Sequence, residues 1–296
     1  MKINQTILMS DALNFSAEKA INPYYFDSNT NSAAAQIEHA SIRQALEEAG
    51  VNVITTESPP DSQDGVYVAN WALVRGSKAV LARLPNVRKA EEQHARKVLE
   101  KLGKKVIEVP DGLRFSGQGD ALACGNYLFC GNGYRSDEAA QKFAAETLGY
   151  ERIQLQTIPQ VDVEGKPVIN PISGWEDSFF YDIDLALSII KHPATSTSTK
   201  SAEPGLIAYC PAAFTPESVE KIKMLTDIET IEVSLEESEQ AFACNLVSTG
   251  ETVIMGDNAP KLKAALEARG LIVKTPHIQE LSKGGGYIRC TTLTLE

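Results

Sequence analysis

No stretch of this 296-residue sequence comes near the roughly 18 consecutive apolar residues that a membrane-spanning helix needs. The first 25 residues lack a basic start followed by an apolar core, so no secretory signal is read there. Basic residues are short as well: 28 Lys and Arg against 39 Asp and Glu give a formal charge of −11, which repels a nucleic-acid backbone and attracts small cations. Cysteines are few, odd in number and scattered (Cys124, Cys130, Cys210, Cys244, Cys290), a pattern of free thiols in a reducing cytosol. No Cys or His pairs have metal-ligand spacing, and no strand, Gly-rich loop and helix with a Lys forms a phosphate cradle. These absences leave a cytoplasmic globular chain with no membrane, nucleic-acid, metal or cofactor signature, and a homodimer stays open.

What is present is repetition. "DGVYVANWALVRGSKAVLARL" (64–84) reads as a hairpin turning at Gly76-Ser77, followed by a helix over 88–103 and a strand over 105–110. In that helix Ala90, His94, Val98 and Leu102 form a stripe at i, i+4 spacing. "GDALACGNYLFCGNG" (119–133), with Gly125-Asn126 at its tip, repeats the hairpin. A helix capped by Ser136 and a strand at 153–156 follow it. Residues 244–276 give another copy, and 5–56 supply a first unit. The fourth, 182–234, carries a polar tip at 191–205 and a helix starting at Thr215-Pro216. The acidic "LEESEQ" (235–240) reads as a solvated connector.

Strand starts near Asp64, Asp120, Asp184 and Asn245 are spaced by 56, 64 and 61 residues, the mark of one supersecondary unit copied several times. End units would expose apolar flanks unless the copies close on themselves, and "RCTTLTLE" (289–296) offers a spare strand for the first unit. The expected fold is therefore one α/β domain, 1–296: a five-fold pseudosymmetric closed ring of ββαβ units, helices outside, with Asp and Asn rimming the centre.

The ring together with "DGVYVANWALV", "FSGQGDAL", "FFYDIDLALS" and "GGGYIRC" resembles the guanidine-modifying superfamily, the penteins. That group holds arginine deiminases, arginine dihydrolases, amidinotransferases and dimethylarginine dimethylaminohydrolases. The resemblance spans essentially the whole chain. It implies a hydrolase or amidinotransferase acting on arginine or a related guanidino or amidino compound. In that chemistry a cysteine thiolate attacks the guanidinium carbon and forms a covalent adduct. It places Cys290 as the nucleophile, and Asn70, Asp120 and Asp184 as grips for the planar cation. Arg83 and Arg135 fall near positions that meet a substrate carboxylate.

Two positions depart from the family pattern. Asp182 stands where the family has its histidine, and Ser116 where it has the glutamate that orients that histidine. Asp182 could act as the base if burial beside Asp184 raised its pKa. Of the four histidines, His39, His94, His192 and His277, only His277 precedes the glycine loop closely enough to approach Cys290. Two functions stay open: the thiol-dependent enzyme, and a catalytically silent ring that binds a cationic guanidino metabolite or serves as a partner subunit. The glycine run 284–286 is either a tight bend or an adjustable loop that delivers the thiol, and the reading favours delivery.

Overall fold

The computed structural model describes residues 2–20, 25, 29–171, 176–194 and 203–296. Most of the polar tip expected at 191–205 lies outside them. Elements are numbered in chain order. Strand β1 (Thr6–Ser10), helix α1 (Ser32–Glu48) and β2 (Asn52–Thr56) come first. A second group is β3 (Ala72–Arg75), β4 (Lys78–Leu81), α2 (Lys89–Lys101) and β5 (Lys105–Glu108). The third is β6 (Ala121–Cys124), β7 (Tyr127–Cys130), α3 (Glu138–Leu148) and β8 (Glu151–Gln154). The fourth is β9 (Leu187–Lys191), β10 (Gly205–Tyr209), α4 (Pro216–Lys223) and β11 (Ile228–Glu232). Helix α5 (Leu235–Ala241) leads into β12 (Val247–Ser248), β13 (Thr252–Ile254), α6 (Pro260–Glu267) and β14 (Ile272–Lys274). Strand β15 (Leu293–Thr294) is last.

The strands form five three-stranded sheets. In four of them the middle strand pairs antiparallel with the strand before the turn and parallel with the strand after the helix, as β4 does with β3 and β5. The first sheet is completed across the sequence, because β15 pairs antiparallel with β1, Ile7 facing Thr294 and Leu8 facing Leu293. The spare strand therefore does what the alternation of Thr and Leu in its sequence suggests. The fold is α/β, with five small sheets matching five repeated units.

Local signals explain most boundaries. Thr215 caps α4 by accepting from the Ser218 amide, and Pro216 fills the first helical position. Gly103 and Gly149 take left-handed φ values of 77° and 73° where α2 and α3 end. Three expectations need correction. The buried face of α2 is Glu91, Ala95 and Leu99, while Ala90 is exposed and His94, Val98 and Leu102 are half-buried. The reason is the Glu91 carboxylate, which goes inward to meet Arg88 at 2.7 Å. Asp137, not Ser136, is the N-cap of α3; the Ser136 hydroxyl instead accepts from the Ser116 amide at 3.1 Å. The acidic run 235–240 is helical, and buried Glu237 accepts from the Lys261 and Leu262 amides at 2.8 and 3.0 Å.

All five cysteines are free and buried. Among the described residues no helix is long and apolar enough to cross a membrane.

Candidate active site

A short 3-10 turn precedes most first strands, and these turns carry the polar residues that the repeat spacing singles out. Asn70 lies in the turn 68–71 before β3, Asp184 in 183–185 before β9 and Cys290 in 289–291 before β15. Asp120 directly follows the turn 117–119 and leads into β6. Equivalent positions in repeated units bring these side chains to one end of the first strands.

Cys290 is 5% exposed. Its thiol donates to Asp184 Oδ2 at 3.5 Å and accepts from Asn245 Nδ2 at 3.2 Å. Asn245 Oδ1 in turn accepts from the Cys290 amide at 3.2 Å, so one carboxamide clamps the cysteine at two points. Burial, with the Asp184 carboxyl second, pushes the Cys290 thiol well above its ordinary pKa. The resting sulfur is a thiol.

Asn70 Nδ2 donates to Asp182 Oδ2 at 2.8 Å and to the Ser116 hydroxyl at 2.8 Å. The Ser116 hydroxyl also bonds the Asp182 carboxyl and helps to hold its pKa down. The two residues that depart from the family pattern are thus neighbours around one amide. Asn70 is oriented from behind by Arg88, whose Nη1 donates to its Oδ1 at 2.8 Å. Arg88 is itself locked bidentately to Glu91, with Nε to Oε1 at 2.8 Å and Nη2 to Oε2 at 2.7 Å.

Burial raises the carboxyl pKa values of Asp120, Asp182 and Asp184; the Asp182 charge adds to the rise at Asp120 and Asp184, while Arg135 opposes the rise at Asp182. Oδ1 of Asp182 and Oδ1 of Asp184 are buried and have no hydrogen-bond partner. Such acceptors call for N–H donors.

A small cavity of about 20 Å³ lies against the thiol, lined by Asn70, Asp182, Arg135 and Cys290 with Asp64, Tyr67, Arg88, Tyr181, Gly284 and Gly286. That is room for one water. The sequence-derived residues Asn70, Asp182, Arg135 and Cys290 meet here, and Asp184 touches the thiol. Asp120 stands back from the wall, its Oδ1 accepting from the Ile183 amide at 3.1 Å and so shaping the turn that carries Asp182 and Asp184. Arg83 is elsewhere. Its guanidinium is held at the surface by Glu108 and Asp111 at 3.1 and 3.0 Å, and the arginine that lines the cavity with Arg135 is Arg88. Arg88 and Asn245 were missed from the sequence. Asn245 occupied the repeat position, and Arg88 sits three residues before the one acidic residue on the buried face of α2.

None of the histidines borders the cavity. His277 is exposed and bonds Asp257 at 2.7 Å; His94 and His192 contact the backbone oxygens of Glu57 and Ala123. His39 is buried in α1. Among the described residues no three His, Cys, Asp or Glu side chains are arranged to hold a metal ion.

Each glycine of the run has a packing reason. A Cβ on Gly284 or Gly286 would strike the Tyr67 ring, and Gly285 has φ 77°. The Tyr181 hydroxyl donates to the Gly285 carbonyl, and the Tyr67 hydroxyl donates to that of Leu281 at 2.6 Å. Glu38 of α1 accepts from the amides of Gln279, Glu280 and Leu281, fixing the turn that leads into the run. A close-packed bend accounts for all three glycines without a mobile loop. Beyond the run a groove of about 940 Å³ is lined by Phe179, Phe180, Phe242 and Tyr287 together with Ser282 and Lys283. Ser282, Lys283 and Tyr287 line the groove, while Gly284 and Gly286 between them in sequence line the cavity.

The model of the N,N-dimethylarginine dimethylhydrolase family, eukaryotic, matches residues 12–170, more than half of the chain. The chain belongs to this family. It lies within the pentein superfamily that the sequence resembles. The bifunctional arginine dihydrolase/ornithine cyclodeaminase AgrE of Nostoc sp. is 30% identical over 233 residues, 78% of this chain but 29% of the relative. The corresponding protein ArgZ of Synechocystis sp. is 27% identical over 97% of this chain and 37% of its own length. The chain thus spans about a third of these bifunctional relatives. A solved structure of the N-terminal domain of ArgZ, an arginine dihydrolase bound to substrate, superposes with a TM-score of 0.81 at 26% identity, covering 97% of both chains.

Proposed function

We propose that this chain is a cysteine-dependent hydrolase, or an amidinotransferase-like enzyme, acting on arginine or a related guanidino compound. The observation that carries the reading is the pairing of a buried thiol with two buried carboxylate oxygens that have no donor, Asp182 Oδ1 and Asp184 Oδ1. A planar guanidinium brings N–H groups to both and places its central carbon beneath the sulfur. Family kinship to dihydrolases and dimethylaminohydrolases supports the substrate class.

In this reading the entering cation favours the charged forms of the site. The Cys290 proton passes to the Asp182 carboxylate, and the sulfur forms a bond to the guanidinium carbon. The carbon–nitrogen bond breaks as the leaving amine takes the proton from Asp182. Water then adds to the carbon, giving one proton to Asp182. The carbon–sulfur bond breaks, the proton of the new hydroxyl passes to the departing sulfur, and Asp182 releases its proton to solvent, leaving a urea-type product and the resting thiol. Asn70 holds Asp182 in place, Asp184 grips the guest, and Arg135, stacked over the Tyr181 ring at 4.5 Å, faces a substrate carboxylate. Because about 20 Å³ cannot hold arginine, the side chains that line the cavity have to move apart to admit the guest. We further propose that the five sheets close into a ring with helices outside, that 1–296 is one domain, and that it works in the cytoplasm.

The test is turnover of arginine, agmatine and methylated arginines to citrulline, a related urea-type product or ammonia, repeated with Cys290→Ala. Activity that survives Cys290→Ala removes the covalent mechanism. A second reading, a silent ring that binds a cationic guanidino metabolite or serves as a partner subunit, has one observation in its favour: no imidazole borders a thiol that burial keeps protonated. Calorimetric binding without product would select it.

A further inference from the structure

A second cavity, about 270 Å³, is lined mainly from the far ends of the first strands, with Gln118 and Arg289 reaching it from the turns before β6 and β15. Asn70, Asp120 and Cys290 precede β3, β6 and β15, whereas Arg75, Gly125 and Thr294, at or just beyond the far ends of those strands, line this second cavity. Although the chain carries a net charge of −11, the charged lining here is Lys2, Arg75 and Arg289 against the single acidic side chain of Glu296. Lys2 is occupied at the surface by Glu251 at 3.6 Å. His192 also lines the cavity, and burial lowers its pKa, so it adds no charge at neutral pH.

Arg289 is the unusual member. It is 9% exposed, and its guanidinium donates only to neutral oxygens: Gln118 Oε1 at 2.9 Å, Thr294 Oγ1 at 3.2 Å and Thr292 Oγ1 at 3.4 Å. Arg75 likewise donates to the Leu148 and Gly149 carbonyls and to Asn126 Oδ1, with its guanidinium 4.0 Å from the Tyr150 ring centre. Among the described residues no carboxylate oxygen accepts a hydrogen bond from Arg289, and burial lowers its pKa. A buried guanidinium paired only with neutral oxygens is costly, and the cavity beside it is where a compensating anion fits.

We propose that this cavity binds a small oxyanion, phosphate or carboxylate, with Arg289 and Arg75 as its charged ligands. The site is coupled to the thiol through the chain itself, since Arg289 and Cys290 share one 3-10 turn. An anion there cancels the positive field that favours a thiolate at Cys290, so occupancy slows reaction of the sulfur.

The experiment is isothermal titration of the full chain with inorganic phosphate and, separately, with acetate, at matched ionic strength in chloride. Saturable binding is expected, weakened at least about fivefold by Arg75→Gln and by Arg289→Lys, and unchanged by Arg135→Gln. Alkylation of Cys290 by iodoacetamide is expected to slow at saturating anion. Tighter phosphate than acetate identifies a phosphate site, and the reverse a carboxylate site. The proposal is overturned by absence of saturable binding for both anions. It is equally overturned by binding that Arg135→Gln abolishes and Arg75→Gln leaves intact, which would put the anion in the catalytic cavity. Should Arg289→Lys fail to fold, full affinity in Arg75→Gln is enough to reject it.

Discussion

Replacing Glu91 with leucine tests the support behind Asn70. Glu91 is fully buried, and besides Arg88 its oxygens accept from the Ser62 hydroxyl and from Trp71 Nε1 at 3.0 Å. Glu91→Leu keeps the volume roughly constant but strands the Arg88 guanidinium, a loss of about 3–5 kcal/mol. The orphaned Ser62 and Trp71 donors add about 1 kcal/mol or more each. At roughly 0.6 kcal/mol per kelvin for a chain of this length, the lower end of that range already shifts the melting temperature by about 5 °C. Scanning calorimetry on wild type, Glu91→Leu, Arg88→Met and the double variant gives the coupling directly. The double variant should be less destabilised than the two single changes summed, by about 2 kcal/mol or more, since it removes both charges at once. A Glu91→Leu protein within about 1 kcal/mol of wild type, or strict additivity, would refute the view that this ion pair is a buried, solvent-excluded support.

Reversing the two departures, Asp182→His with Ser116→Glu, should raise turnover of a guanidino substrate relative to the native chain; a fall in rate would show that Asp182 is the better proton carrier here. The thiol pKa of Cys290, raised above the ordinary value of 9.0, predicts slow alkylation by iodoacetamide through pH 8 and a rise only above pH 9, and a midpoint near neutrality would contradict it. Gly286→Ala puts a Cβ 2.5 Å from Tyr67 Cε1 and should cost about 1–3 kcal/mol in urea unfolding, partly recovered by Tyr67→Leu; no change would show the bend is loose. His39, whose pKa burial lowers from 6.5 to about 4, stays neutral in the fold while the unfolded chain takes up a proton. Its contribution is therefore complete above pH 6.5 and lost as the pH falls toward 4, about 3 kcal/mol in all. Asp64, raised by burial to about 6, acts oppositely, stabilising at low pH and losing that contribution as the pH climbs through 6, so the His39→Gln difference in urea stability between pH 4 and pH 7 isolates the histidine.

Spacing made the five units legible. Intervals of 56 to 64 residues between strand starts, glycines after the helices and Thr215-Pro216 all report local geometry, which a sequence carries openly. The misses share a different cause. Glu91 and Glu237 are carboxylates turned inward, so a reading that sends charge to solvent shifted the face of α2 and dissolved α5 into a connector. Arg83 and Arg88 are five residues apart after the same hairpin, and only the ion pair distinguishes them. Ser136 looks like a helix cap because caps are local, whereas its actual partner is the Ser116 amide, 20 residues away. The carboxamide of Asn245 escaped because its role exists only once Cys290 arrives from 45 residues downstream.

The pairing of β15 with β1 joins residues nearly 300 positions apart, and the turn bearing Cys290 hangs directly from β15. Until β15 docks, Ile7 and Leu8 have no neighbour on that edge and the sulfur has no seat. Cys290 thus gains its neighbours only once β15 has docked on β1, and a variant in which those two strands cannot pair should leave the thiol unplaced.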